Sequence, residues 1–128
     1  MPRFKFSKLV RDKIVKQQIA SGAEPTYRLL DPEDHKRELI NKLAEETREL
    51  EGASPEEVIS EIADIQQVID DLRELHGLTS ADVAAAQNLK NKKSGSFKKG
   101  IYIESVVIDE NSQWVDYYRK NADRYIEI

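Results

Sequence analysis

Eight carboxylates crowd the stretch between residues 45 and 64, and five of them stand at spacings that could hold a cation. Glu45, Glu46 and Glu49 stand at i, i+1 and i+4, and Glu61 and Asp64 at i and i+3. At about 100° per helical residue, Glu49 lies one turn beyond Glu45, and Asp64 stands beside Glu61. Like charges at such spacing destabilise a helix by roughly 0.2–0.5 kcal/mol per pair even in water. A partly buried carboxylate must be paired, protonated or bound to a metal. The nearby cation on the same helix is Lys42, one turn before Glu46. Acids in such excess predict a divalent cation. All-oxygen ligation points to Mg²⁺, or Mn²⁺, and the absence of cysteine argues against zinc. The plainer reading is an acidic, solvated helix face, and for Glu45 and Glu49 taken alone it is the better one. Glu61 falls inside an apolar stripe, where the plainer reading requires an ion pair with Arg11 or Lys13.

The elements that position these acids can be read from capping and periodicity. Asp31 caps a helix with Pro32 in its first turn, and Gly52 lies just past its end. Leu39, Ile40, Leu43, Thr47 and Leu50 form its stripe. The next helix is expected from Ser54, with Pro55 in the first turn, Glu57 completing a capping box, and Gly77 as the stop. Its stripe is Val58, Ile62, Ile65, Val68, Ile69, Leu72 and Leu75. The link Glu51–Ala53 is so short that the two helices should pack antiparallel, bringing their acids into the groove between them. A helix before them is expected from about Ser7 to Ile19, and one after them is capped by Ser80 and carries Ala84, Ala85 and Leu89. Ile101-Tyr102-Ile103 and Val106-Val107-Ile108 read as short strands, and Trp114, Val115 and Tyr118 as a final short helix. The fold class is therefore mainly all-α, a four- to five-helix bundle with a short extended segment near the C-terminus.

Composition narrows the class. The chain has 128 residues, 39% hydrophobic, which suits one domain over residues 1–128. It has no apolar run long enough for a membrane span, no signal peptide pattern and no cysteine for disulfides, so a cytoplasmic location is expected. The formal net charge of −4 hides a strong pattern. Residues 1–20 carry Arg3, Lys5, Lys8, Arg11, Lys13 and Lys16 against Asp12, and residues 86–100 carry Lys90, Lys92, Lys93, Lys98 and Lys99 with no acid. Between them residues 33–64 are strongly acidic. The order basic, acidic, basic fits either three solvated faces or a cation site bracketed by groups that hold anions. The acidity of the middle segment argues against a nucleic-acid partner.

Lys42-Leu43-Ala44-Glu45-Glu46-Thr47-Arg48-Glu49, followed by Glu61-Ile62-Ala63-Asp64, resembles the EExxE…ExxD signature of the all-α nucleoside triphosphate pyrophosphohydrolase superfamily. That superfamily includes the MazG proteins and the phosphoribosyl-ATP pyrophosphohydrolases. Lys8-Leu9-Val10-Arg11-Asp12-Lys13-Ile14 resembles the KLVRDKI opening of a MazG-like subgroup, and Lys93-Ser94-Gly95-Ser96-Phe97-Lys98-Lys99-Gly100 its K-R-G-x-F-x-x-G segment. Ser94 departs from that pattern, where arginine is common. The resemblance spans about residues 7–103.

It implies Mg²⁺-dependent cleavage of a nucleoside triphosphate between the α and β phosphates, giving monophosphate and pyrophosphate. Carried over by position, Glu46, Glu49, Glu61 and Asp64 would hold metal. Glu45 or Glu46 would orient or deprotonate the attacking water. Arg11, Lys13, Lys42, Lys90 and Lys93 would neutralise phosphates. The family also implies a homo-oligomer, a dimer or tetramer. Nucleotide-pool house-cleaning is preferred to the histidine-pathway phosphoribosyl-ATP activity, because the KLVRDKI-like opening and the extension after Gly100 look foreign to the latter. The reading of another class is a non-catalytic nucleotide-binding or dimerisation module.

Overall fold

The helix signals at Asp31 translate directly into structure. In the computed structural model, which describes residues 1–128, the Asp31 carboxylate accepts a hydrogen bond from the Asp34 amide at 2.8 Å. Pro32 opens the helix, where an amide would have lacked an intrahelical partner. The chain is all-helical. We number the helices α1 (Ile14–Ala20), α2 (Pro32–Glu51), α3 (Val58–Leu75), α4 (Ser80–Ser94) and α5 (Gln113–Lys120). Its backbone divides into two units, Met1–Lys90 and Asn91–Ile128.

In the first unit, the substantial helix–helix packing is α2 against α3. The two form a helical hairpin across the short link at Gly52–Glu57, as the loop length requires. Leu39 of α2 and Val68 of α3 are the buried hydrophobic side chains of the chain. Truncating such a residue to alanine typically costs about 2–5 kcal/mol for leucine. The stripes are only partly used: Ile40, Ile62 and Ile69, which belong to them, remain exposed, as does Ile59 beside them.

Three helix starts differ from expectation. α1 begins at Ile14, not near Ser7. Ser7 takes a positive φ of 47°, and residues 7–13 run as a non-helical strap. The apolar spacing of Leu9, Val10 and Ile14 imitates a helix over too few turns to specify one. α3 begins at Val58 without a side-chain cap: the Glu57 amide donates to the Ser54 carbonyl at 2.9 Å, so Ser54–Glu57 is a turn rather than a capping box. α4 is capped by Thr79, not by Ser80. The Asp82 amide donates to the Thr79 hydroxyl at 3.1 Å while the Thr79 amide donates to the Asp82 carboxylate at 2.8 Å. This reciprocal pair holds the Asp82 carboxyl below its usual range, through the hydrogen bonds it accepts.

In the second unit, α5 is where Trp114, Val115 and Tyr118 place it, with the Ser112 hydroxyl accepting from the Trp114 amide at 3.2 Å. Trp114, Tyr117, Tyr118 and Tyr125 cluster with ring centroids 4.7–6.1 Å apart. Arg119 grips the Glu127 carboxylate through two hydrogen bonds of 2.7 and 3.2 Å. The strands expected at Ile101–Ile103 and Val106–Ile108 do not form. A strand needs a neighbour to pair its backbone, and the all-helical chain supplies none.

Candidate metal centre

The hairpin of α2 and α3 brings all five acids of the sequence pattern together. Carboxylate oxygens of Glu45, Glu46 and Glu49 lie within 4.8 Å of one another, and so do those of Glu46, Glu61 and Asp64. Glu46 belongs to both triads. It is also the most enclosed acid, 5% exposed, with Oε2 buried and accepting no hydrogen bond. Glu61 Oε2 is likewise buried without a partner. Leaving a buried oxygen unsatisfied costs about 1–3 kcal/mol, more when it is charged.

Sequence spacing puts Glu61 inside an apolar stripe, yet Glu46 is the more buried of the two. Glu46 sits against Glu61 and Asp64 of α3 within the hairpin, while Ile62 beside Glu61 is exposed. The electrostatics follow the burial. Glu46 is pushed above the usual carboxylate range by burial and then by the charge of Glu49, with Asp64 adding to it and Lys42 opposing. Burial, and then Glu49 and Asp64, push Glu61 the same way.

Cations reach the cluster from two directions. From α2 itself, Lys42 Nζ lies 3.3 Å from Glu45 Oε2 and 3.5 Å from Glu46 Oε1. From the strap at residues 7–13, Lys8 Nζ lies 2.8 Å from Glu45 Oε1 and Arg11 Nη2 2.6 Å from Asp64 Oδ1. The ion pair offered as an alternative for Glu61 therefore goes to Asp64 instead. The hydrogen bond from Lys8 holds the Glu45 carboxyl below its usual range, and the same bond raises Lys8. If all five acids are ionised, these three cations leave two negative charges, which is the charge of one divalent ion.

Of the other cations expected here, Lys13 and Lys90 are exposed and form no ion pair. Lys93 is exposed near the end of α4 and belongs to the second unit. Beside the carboxylates, a cleft of about 300 Å³ is lined by Ser7, Lys8, Asn41, Lys42, Glu45 and Arg48, among others. Compared with protein-family models, curated proteins and solved structures, the chain matches none.

Lys8, Asn41 and Arg48 were not among the residues singled out from sequence. Lys8 and Arg48 had a readable signal, since Lys8 lies in the basic segment before α1 and Arg48 lies between Glu46 and Glu49 on α2. Asn41 had none, because its relevance depends on which side of α2 the strap crosses.

The residues suit a hard divalent cation. Two carboxylate triads share a buried acid whose second oxygen has no protein partner, and every candidate ligand is oxygen, as Mg²⁺ and Mn²⁺ require. No helix is long and apolar enough to cross a membrane.

Proposed function

We propose that this chain is a Mg²⁺-dependent nucleoside triphosphate pyrophosphohydrolase that releases monophosphate and pyrophosphate, with Mn²⁺ able to substitute. The observation that carries the reading is Glu46, a buried carboxylate with an unpartnered oxygen at the junction of two acid triads. The order of the KLVRDKI-like, EExxE…ExxD and Gly-containing segments, which resembles the MazG-like pyrophosphohydrolases, supports it.

In this reading Glu46, Glu49, Glu61 and Asp64 hold the metal. A bound divalent ion supplies charge neutralisation at the phosphate and an acidified water. Glu45, paired with Lys42 on its own helix, accepts a hydrogen bond from the attacking water and orients it. Arg11, Lys13, Lys42 and Lys90 provide positive charge for the phosphate chain, and the cleft bounded by Lys8, Asn41 and Arg48 receives part of the nucleotide. Cations gripping the distal phosphates favour attack at the α position, so that pyrophosphate leaves as one unit.

The working form is a homo-oligomer, with a second copy covering the unused part of the stripes. Ile59 and Ile62 are 78% and 52% exposed on α3, and Ile40 is exposed on α2. Two buried hydrophobic side chains are a thin core for a chain of this length. A panel of standard and modified nucleoside triphosphates with Mg²⁺, scored for pyrophosphate rather than orthophosphate, tests the function. Turnover should vanish with EDTA and with Asp64→Asn. The absence of turnover across the panel would instead favour the non-catalytic binding module.

A further inference from the structure

The strap before α1 makes two contacts with the carboxylate cluster, and they are not arbitrary. Lys8 takes an oxygen of Glu45, a member of one triad, and Arg11 takes an oxygen of Asp64, a member of the other. Each triad thus has one acid engaged by a cation from the same short segment. Between Lys8 and Arg11 the backbone is non-helical. Three extended residues span about 10 Å, enough to set the two cations on separate acids. A helix would advance only about 4.5 Å over the same residues.

Both contacts are replaceable. The Lys8 and Arg11 side chains are 44% and 60% exposed, so water and ions reach them, and pairs of this exposure are worth about 0.2–1 kcal/mol. Lys42 differs: it lies on α2, is 20% exposed, and spans Glu45 and Glu46 from within the hairpin. Lys8 also lines the cleft beside the cluster, together with Ser7 and Asn41.

We propose that Lys8 and Arg11 are resident counter-cations that hold Glu45 and Asp64 until a divalent ion enters, and then transfer to the phosphate chain of the incoming nucleotide. The inference rests on the metal reading above and adds a role to the strap. Before metal binds, the two cations relieve the repulsion among five clustered acids. Once the ion supplies that charge, they become surplus at the carboxylates and free to pair with the phosphates that the metal brings in. Metal and phosphate are thereby coupled, because release of the strap is common to both.

The test compares the full-length protein with Lys8→Met, Arg11→Met and, as a control outside the strap, Lys16→Met. Titration calorimetry with Mn²⁺ alone should give binding about 2–5-fold tighter for Lys8→Met and Arg11→Met, since removing a competing surface ion pair is worth up to about a factor of five. Inorganic pyrophosphate titrated at saturating Mg²⁺ should bind about tenfold more weakly to the same two variants, the cost of losing a charged hydrogen bond. Lys8→Arg should restore both values, and Lys16→Met should change neither. Opposite signs for metal and pyrophosphate are the signature, because a damaged fold would weaken both. Equal Mn²⁺ affinity in wild type and variants would overturn the exchange while leaving the metal site standing. Failure of every protein to bind Mn²⁺ would overturn both.

Discussion

Lys8 Nζ and Glu45 Oε1 lie 2.8 Å apart although 37 residues separate them in the chain. The pair fastens a non-helical strap to α2 and fixes the charge state of one acid in the cluster. Because Glu45 is held below its usual range, its share of stability is present above the unfolded carboxylate pKa and is lost as pH falls through the folded one. Lys8 is raised, so its share is present below the usual lysine range and is lost as pH rises through its folded pKa. Removing the side chain of Lys8 should therefore cost no more than about 1 kcal/mol at neutral pH, and nothing in strong acid or strong base. Thermal unfolding of wild type and Lys8→Ala from acid to alkaline pH checks it. A difference that persists in acid would separate the stabilisation from the ion pair.

Glu46 predicts the opposite dependence. Its folded pKa is raised by burial and by Glu49, so it stabilises the fold fully only below the unfolded pKa and loses that contribution as pH rises through the folded value. Glu46→Gln, which resembles the protonated side chain, should stabilise the metal-free protein at pH 7 by about 1–3 kcal/mol. The gain should shrink toward zero as pH drops below the usual carboxylate range, about 4.3. Urea titrations in EDTA at neutral and acid pH measure it. A destabilised Glu46→Gln at pH 7 would mean that the ion pair with Lys42 outweighs the cost of burying the carboxylate.

Much of this site was legible beforehand. Asp31, Pro32 and Gly52 marked α2 because capping chemistry is local, and the short link to α3 forced the two sets of acids together. The start of α1 was not legible. Lys8 and Arg11 draw residues 7–13 across to Glu45 and Asp64, and those contacts lie 37 and 53 residues away in sequence. Apolar periodicity says nothing about such reach. The same limit applied to Glu46 and Glu61, whose burial is decided by the opposing helix rather than by their own stripe. The valine- and isoleucine-rich run after Gly100 suggested strands from composition, but pairing depends on a neighbour that the chain does not provide.

Metal should reverse the penalty at Glu46. Millimolar Mg²⁺ is expected to raise the melting temperature of wild type, because a ligand bound only by the native state stabilises it by mass action, about 2.7 kcal/mol at 100 times Kd. Glu61→Gln and Asp64→Asn should lose most of the shift, and EDTA should abolish it. Differential scanning calorimetry with and without Mg²⁺ reads this directly. An unchanged melting temperature in wild type would contradict a preformed site.

The exposed face of α3 should be an interface between copies. Replacing Ile59 and Ile62 together with serine should weaken self-association by at least about tenfold, since burying each isoleucine is worth about 1.5–3 kcal/mol. Helix content by circular dichroism should change little, because neither residue is buried within the chain. Sedimentation of wild type as a monomer at every concentration would contradict the proposal.

The central claim concerns which phosphoanhydride bond breaks, and phosphorus NMR of the products of a turned-over nucleoside triphosphate tests it most directly. With Mg²⁺ and wild-type protein, the spectrum should develop the resonances of nucleoside monophosphate and pyrophosphate together, with neither formed by Asp64→Asn. Nucleoside diphosphate and orthophosphate as the first products would contradict it.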